Sequence, residues 1–347
     1  MKPKSVGVLA VVTLIAVMAA AMAVWLRPGV TTLSGDDAPA FPRLRAEPGA
    51  AVRIAIADAD GSVFLARDGT DVWILPDKDG FPADPAKVRS LIAGLADMRL
   101  AEAKTARPDR FPRLEVEVLD APEAQSRKIT VSAGDGRVLA EALIGRRAYG
   151  VTGGREAGTY IRRTGDDHAW LAGGTVDVPT NAGAWLRQEV VHVSADRVKK
   201  VSVTSPDGAR YRADRNAADA DLRLRTVPEE RTAEAAAVRQ LGAVLTLIEL
   251  VDVAAAEDFV LPDEAAAVTV ETFDGLRIGY RLAIVDDLPW ATFSAEPQAD
   301  APATVVDEAR NIADRVDGWV FRMHRSVADR MAPSLEALLE QQPPNGS

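Results

Sequence analysis

Apolar and polar residues alternate along two stretches of this chain. Val52–Leu65 alternates on either side of Asp60-Gly61, and Val198–Tyr211 does so around Asp207-Gly208. A period of two broken by an Asp-Gly step predicts a β-hairpin in each place. A polar linker follows each hairpin, and the period then lengthens to that of a helix. In the first copy Val88, Leu91, Ile92 and Leu95 fall on one helical face after Asp84-Pro85, an N-cap with proline at the first helical position. In the second, Val238, Leu241, Leu245 and Ile248 form the stripe, with Thr232 as the expected cap. An acidic-aromatic corner comes next, Asp109-Arg110-Phe111 in one copy and Asp258-Phe259 in the other. Strands are expected from Leu114 and from Ala267, then further hairpins, and a closing helix that begins near Asn181 or Ser334.

This order predicts an α+β fold of two tandem, diverged α+β units with mainly antiparallel sheets, preceded by an N-terminal transmembrane helix. The expected boundaries are 1–27 for a transmembrane signal anchor, 28–50 for a flexible tether, 51–194 and 195–341 for the two units, and 342–347 for a disordered tail. The anchor is read from Val6–Leu26, a run without charge in which ten residues are Leu, Ile or Val. At about 1.5 Å per residue it reaches about 31 Å, the thickness of a hydrocarbon core. Lys2 and Lys4 precede it, which keeps that end in the cytoplasm, and Trp25 stands at the far interface. A cleavable signal peptide is the alternative, since Ala21-Met22-Ala23 has the form of a cleavage site, although that site lies inside the apolar run. Either way the remaining chain is exported, which places it at the inner membrane as a single-pass protein with its bulk in the periplasm. Residues 28–50 are rich in Pro, Gly, Ala and Asp and lack periodicity, hence the tether.

Composition narrows the chemistry. The 347 residues carry a net charge of -10, which disfavours nucleic acid as a partner because a duplex surface needs clustered Lys and Arg. No cysteine is present, so disulfides, thiolate metal sites, thiol nucleophiles and an N-terminal lipid-modified cysteine are excluded.

Catalytic patterns do not emerge. His168, His192 and His324 are scattered, without the spacing of a metal motif, and neither a G-x-S-x-G elbow nor an S-x-x-K element occurs. Glu115 and Glu117 alternate with apolar residues and are expected on the solvated face of a strand. Asp36-Asp37 and Asp286-Asp287 read as loop charges, and Trp73, Trp170, Trp185, Trp290 and Trp319 as packing residues. The most suggestive stretch is Gly145–Arg163, with five arginines and five glycines. It reads as a hairpin turning at Gly153-Gly154 with arginines on its polar face; an anion or partner contact through Arg146, Arg147 and Arg155 is the functional alternative. Neither a catalytic residue nor a cofactor or metal site is expected. A short amphipathic helix from Ser334 to about Gln341 should dock on the second unit through Leu335, Leu338 and Leu339.

Several segments together resemble a bacterial family, domain of unknown function 4340. They are Val72-Trp73-Ile74-Leu75 with Pro82-Ala83-Asp84 opening a helix, Ala142-Leu143-Ile144-Gly145, Gly158-Thr159-Tyr160-Ile161-Arg162, Trp185-Leu186-Arg187, Gly318-Trp319-Val320-Phe321 and Ser334–Leu339. These are packing and turn positions. The resemblance implies a membrane-anchored protein of repeated α+β units that is accessory to an ABC transport system of gliding-motility type, with integral membrane transporter components as partners. The expected function is therefore a non-catalytic, membrane-tethered periplasmic interaction module. The alternative is a periplasmic module that binds an exported glycan or lipid.

Overall fold

A computed structural model describes residues 38–149, 158–246, 248 and 250–340. The expected anchor Val6–Leu26, the first part of the tether, the Gly153-Gly154 turn and the tail lie outside the described residues. Among the described residues no helix is long and apolar enough to cross a membrane.

The fold is α+β with two mainly antiparallel sheets. Its strands are β1 (Ala51–Ala57), β2 (Ser62–Arg67), β3 (Trp73–Leu75), β4 (Phe81–Pro82), β5 (Arg99–Thr105), β6 (Arg127–Ala133), β7 (Val138–Ala148), β8 (Gly158–Arg163) and β9 (Ala169–Gly173). The second set is β10 (Val198–Thr204), β11 (Arg210–Asp214), β12 (Arg223–Leu224), β13 (Leu250–Ala255), β14 (Ala266–Thr272), β15 (Leu276–Val285), β16 (Leu288–Pro297) and β17 (Trp319–Met323). Helices are α1 (Pro42–Ala46), α2 (Pro85–Asp97), α3 (Ala235–Gly242), α4 (Ala303–Val316) and α5 (Arg325–Met331).

The first sheet runs β4-β3-β2-β1-β6-β7-β8-β9-β5 and the second β12-β11-β10-β14-β15-β16-β17-β13. Apart from β4, the second order is the first rewritten: each opens with a hairpin, sends a strand to the far edge after its helix, and returns to pair beside its first strand. The irregularities correspond as well. A bulge opens the β1–β6 ladder between Ala51 and Arg53 and the β10–β14 ladder between Val198 and Lys200. Another opens β5–β9 between Leu100 and Glu102 and β13–β17 between Leu250 and Asp252. Bulges are built-in features of a strand pair, and two at matching places are what a duplication leaves. The copies differ chiefly where α4 stands between β16 and β17 and a tight turn joins β8 to β9.

By compactness the chain divides into Met1–Ser62 with Arg89–Val178, and Val63–Val88 with Pro179–Ser347. This division differs from the repeat boundary at 194/195 over residues 63–88 and 179–194, and the packing gives the reason. Phe81 meets the edge of Trp319 at 5.0 Å and of Phe321 at 5.9 Å, in a core completed by Phe293 and Tyr280. Lys78 pairs with Asp252 on β13 at 2.6 Å. Residues 38–50, assigned by composition to the tether, are folded. Leu100 N–H donates to Ala38 O and Ala40 N–H to Met98 O, and Phe41 and Leu44 are buried.

Local chemistry sets the helix starts. Asp84 Oδ1 accepts from the N–H groups of Ala86 and Lys87, as expected of the cap. The cap of α3 is not Thr232, whose carbonyl instead accepts from Glu340 N–H; Glu234 takes the role, accepting from Ala236 and Ala237. The expected closing helices are single 3-10 turns, Ala182–Trp185 and Glu336–Leu338. Asn181 caps the first and Ser334 Oγ accepts from Ala337 N–H at the second, but Leu339 leaves the helical path to bridge Ala233. Leu338 and Leu339 are nevertheless buried, and the turn lies against α3.

Candidate functional site

Each sheet carries an apolar cluster under the connection that follows its far-edge strand. In the first unit Phe111, Val116 and Ala169 pack with Leu114, Leu143 and Tyr160. In the second Leu261, Ala283 and Val320 pack with Phe259, Val285 and Trp290. Following the ladder registers from the shared bulges places Tyr160 and Trp290 at matching positions, so the two acidic-aromatic corners cover equivalent spots.

The connection in the first unit is not the strand expected from Leu114. Pro108–Leu114 is a 3-10 helix, and Glu115 turns the chain with φ of +58°. Glu117, expected on a solvated face, is 5% exposed. Its Oε1 accepts from the N–H groups of Gln125 and Ser126, while Oε2 has no hydrogen-bond partner. Arg162 lies over Phe111 at 4.5 Å and donates from Nε to Val116 O at 2.9 Å. Burial lowers the pKa of its guanidinium, an effect the nearby Glu117 carboxylate opposes. Prolines at 108 and 112 were the available signal that Leu114–Asp120 does not continue a sheet.

The arginine-rich hairpin is β7–β8. Arg146 stacks over Tyr160 at 5.4 Å, whereas Arg147 faces Asp177 at 3.8 Å. These two expected contact residues are thus engaged with different partners, and Arg155 lies outside the described residues. Arg163 serves the β8–β9 turn, donating from Nη2 to Asp166 Oδ2 at 2.6 Å. The same carboxylate accepts from Trp170 Nε1 and from His168 N–H. Burial works against the Asp166 anion, but the Arg163, His168 and Trp170 bonds outweigh it and hold its carboxyl below the usual range. A groove of about 650 Å³ lies beside this turn, lined by Phe41, Arg43, Glu141, Arg163, Asp166 and Trp170.

None of the histidines joins a reactive set. His168 follows the Asp166 turn, His192 is exposed, and His324 caps α5 by accepting from Ser326 N–H. Among the described residues no group of His, Asp and Glu could hold a metal ion. What these residues do instead is fix backbone: carboxylates and guanidinia close turns, and aromatics cover sheet ends.

Two antiparallel sheets of one topology, closed by buried turns and aromatic caps, define the class as a duplicated α+β scaffold. The family model described as Domain of unknown function (DUF4340) matches residues 73–279, more than half of the chain, and the chain belongs to that family. No curated protein matches the sequence, and no solved structure matches the fold.

Proposed function

We propose that this protein is a non-catalytic module tethered to the inner membrane, with its folded part in the periplasm, and that it serves as an accessory or interaction subunit of an ABC-type transport system. The observation that carries the reading is the uncharged run Val6–Leu26 after Lys2 and Lys4, which supplies about -3 to -6 kcal/mol of insertion free energy from its Leu, Ile and Val residues alone. An anchor confines the folded part to the membrane surface and raises its effective concentration for an integral partner. Engagement of the described hairpin arginines by Tyr160, Asp177, Phe111 and Asp166 fits a scaffold more readily than a polar catalytic pocket. The transporter partner follows from the family resemblance.

Cell fractionation followed by co-purification after mild detergent extraction tests this reading. Recovery of the full-length chain in the membrane fraction together with transporter subunits is expected. A chain found in the cytosol, or recovered from membranes only as a free monomer, overturns it.

A further inference from the structure

The second unit carries an apolar surface at the end of its sheet that its own core does not cover. Val260 is 82% exposed, and Leu288, at the start of β16, is 39% exposed. Phe259, the residue before Val260, and Trp290, two residues after Leu288 on the same strand face, pair as tilted rings with centroids 4.4 Å apart. Hydrogen bonds tie the platform together. Phe259 N–H donates to Ala255 O, Ala265 N–H to Pro262 O, and Arg281 Nη2 to the carbonyls of Pro262 and Asp263. The β15–β16 turn is a two-residue turn with both Asp286 and Asp287 at positive φ. Exposed anchors over a preformed aromatic floor are the makings of a contact surface, because little ordering entropy is lost when it is covered.

Charge selects the occupant. Glu257, Asp258, Asp263, Glu264, Asp286 and Asp287 are exposed around these apolar residues, and none forms an ion pair among the described residues. The nearby Arg281 is committed to backbone carbonyls and Arg325 to Asp329 and Asp287 O. An acidic rim repels anionic headgroups and favours a partner of opposite sign. We infer that the 256–265 loop and the β15–β16 turn together dock a cationic amphipathic segment of a partner protein, with apolar side chains on Val260 and Leu288 and lysines or arginines facing the rim. The inference deepens the interaction reading above and rests on it for the partner's location, but its test is separate.

The test uses the full-length chain in neutral-lipid nanodiscs and a fluorescently labelled amphipathic peptide of leucine and lysine, followed by anisotropy. Binding that weakens as salt rises is expected, because the rim charges are solvent-exposed. The Val260→Ser/Leu288→Ser variant, and separately Asp286→Asn/Asp287→Asn with Glu264→Gln, should each weaken it tenfold or more. Val138→Ser, an exposed apolar position in the first unit, should leave it unchanged. The inference is overturned if the Val260/Leu288 variant binds as the parent does or if a leucine–glutamate peptide binds equally well. It is also overturned if anionic vesicles are preferred to zwitterionic ones, or if Val260→Ser/Leu288→Ser abolishes self-association of the chain instead. Failure of fractionation would remove the transporter and leave these binding results standing, so the two readings fall separately.

Discussion

At the scale of single residues, close backbone approach and carboxylates bound to backbone N–H groups shape this protein. A Cβ on Gly145 would lie 2.1 Å from Leu114 O and 2.8 Å from Glu115 O, both backbone atoms that cannot rotate away. Gly145→Ala should therefore force the Pro108–Leu114 turn off β7 and cost about 1–3 kcal/mol, measured as a lower denaturant midpoint with little change in slope. Asp166 offers a pH test. Its carboxyl is held below the usual range in the folded state, so in acid the unfolded chain binds more protons and stability falls as pH drops through the carboxylate range. Between about pH 5 and pH 2 the parent should lose stability more steeply than Asp166→Asn, in thermal melts across that window. Glu117 shows why residue-scale reading from sequence failed here: alternation in Leu114–Asp120 reported a sheet, while a left-handed Glu115 and a buried carboxylate made a turn.

At the scale of elements, what was legible had local causes. Both hairpins and α2 form where the Asp-Gly steps and Asp84-Pro85 place them, since turn and cap chemistry act within a few residues. The closing helices were misjudged because distant backbone decides them: Ala233 and Thr232 capture Leu339 and Glu340, and Gly183 is pressed against Val251 O. Two tyrosines hold the segment at the end of α5 in place. Tyr280 OH donates to Met331 O at 2.6 Å, and Tyr211 OH donates to Pro333 O. Tyr280→Phe keeps the ring and removes one bond, so it should cost about 0.5–1.5 kcal/mol and raise hydrogen exchange along α5. No change in α5 exchange would show that packing of Met331 and Leu338 alone holds the segment. Removing the α3 cap with Glu234→Ala should cost about 1 kcal/mol, seen in a denaturant titration, whereas Thr232→Ala should cost less.

At the scale of the whole molecule, the repeat was legible in order and its strand pairing was not. Sequence alternation places strands but cannot say that β5 and β13 go to the far edges, because that choice depends on partners distant in the chain. Nor could it show that Val63–Val88 groups with the C-terminal half. Arg146 and Arg147 meet Tyr160 and Asp177 respectively once the strands pair, a placement that the local pattern does not give. A fragment of residues 195–347 should lack the contacts that Phe81 makes with Trp319 and Phe321. Losing a buried phenylalanine and its ring pairs removes about 2–4 kcal/mol, so the fragment should unfold at a lower urea concentration than the full chain. An unshifted midpoint would show that 63–88 contributes nothing to that core.

The placement of Phe81 also bears on how the protein comes into being. A chain that emerges from its N-terminus delivers Phe81 long before Trp319 and Phe321 exist to receive it. Until the last strand arrives, the Phe81 ring lacks these two partners and is an apolar target for any holding chaperone. Completion of the second core is therefore a late event, timed by release of the final residues rather than by the order in which the repeats are written.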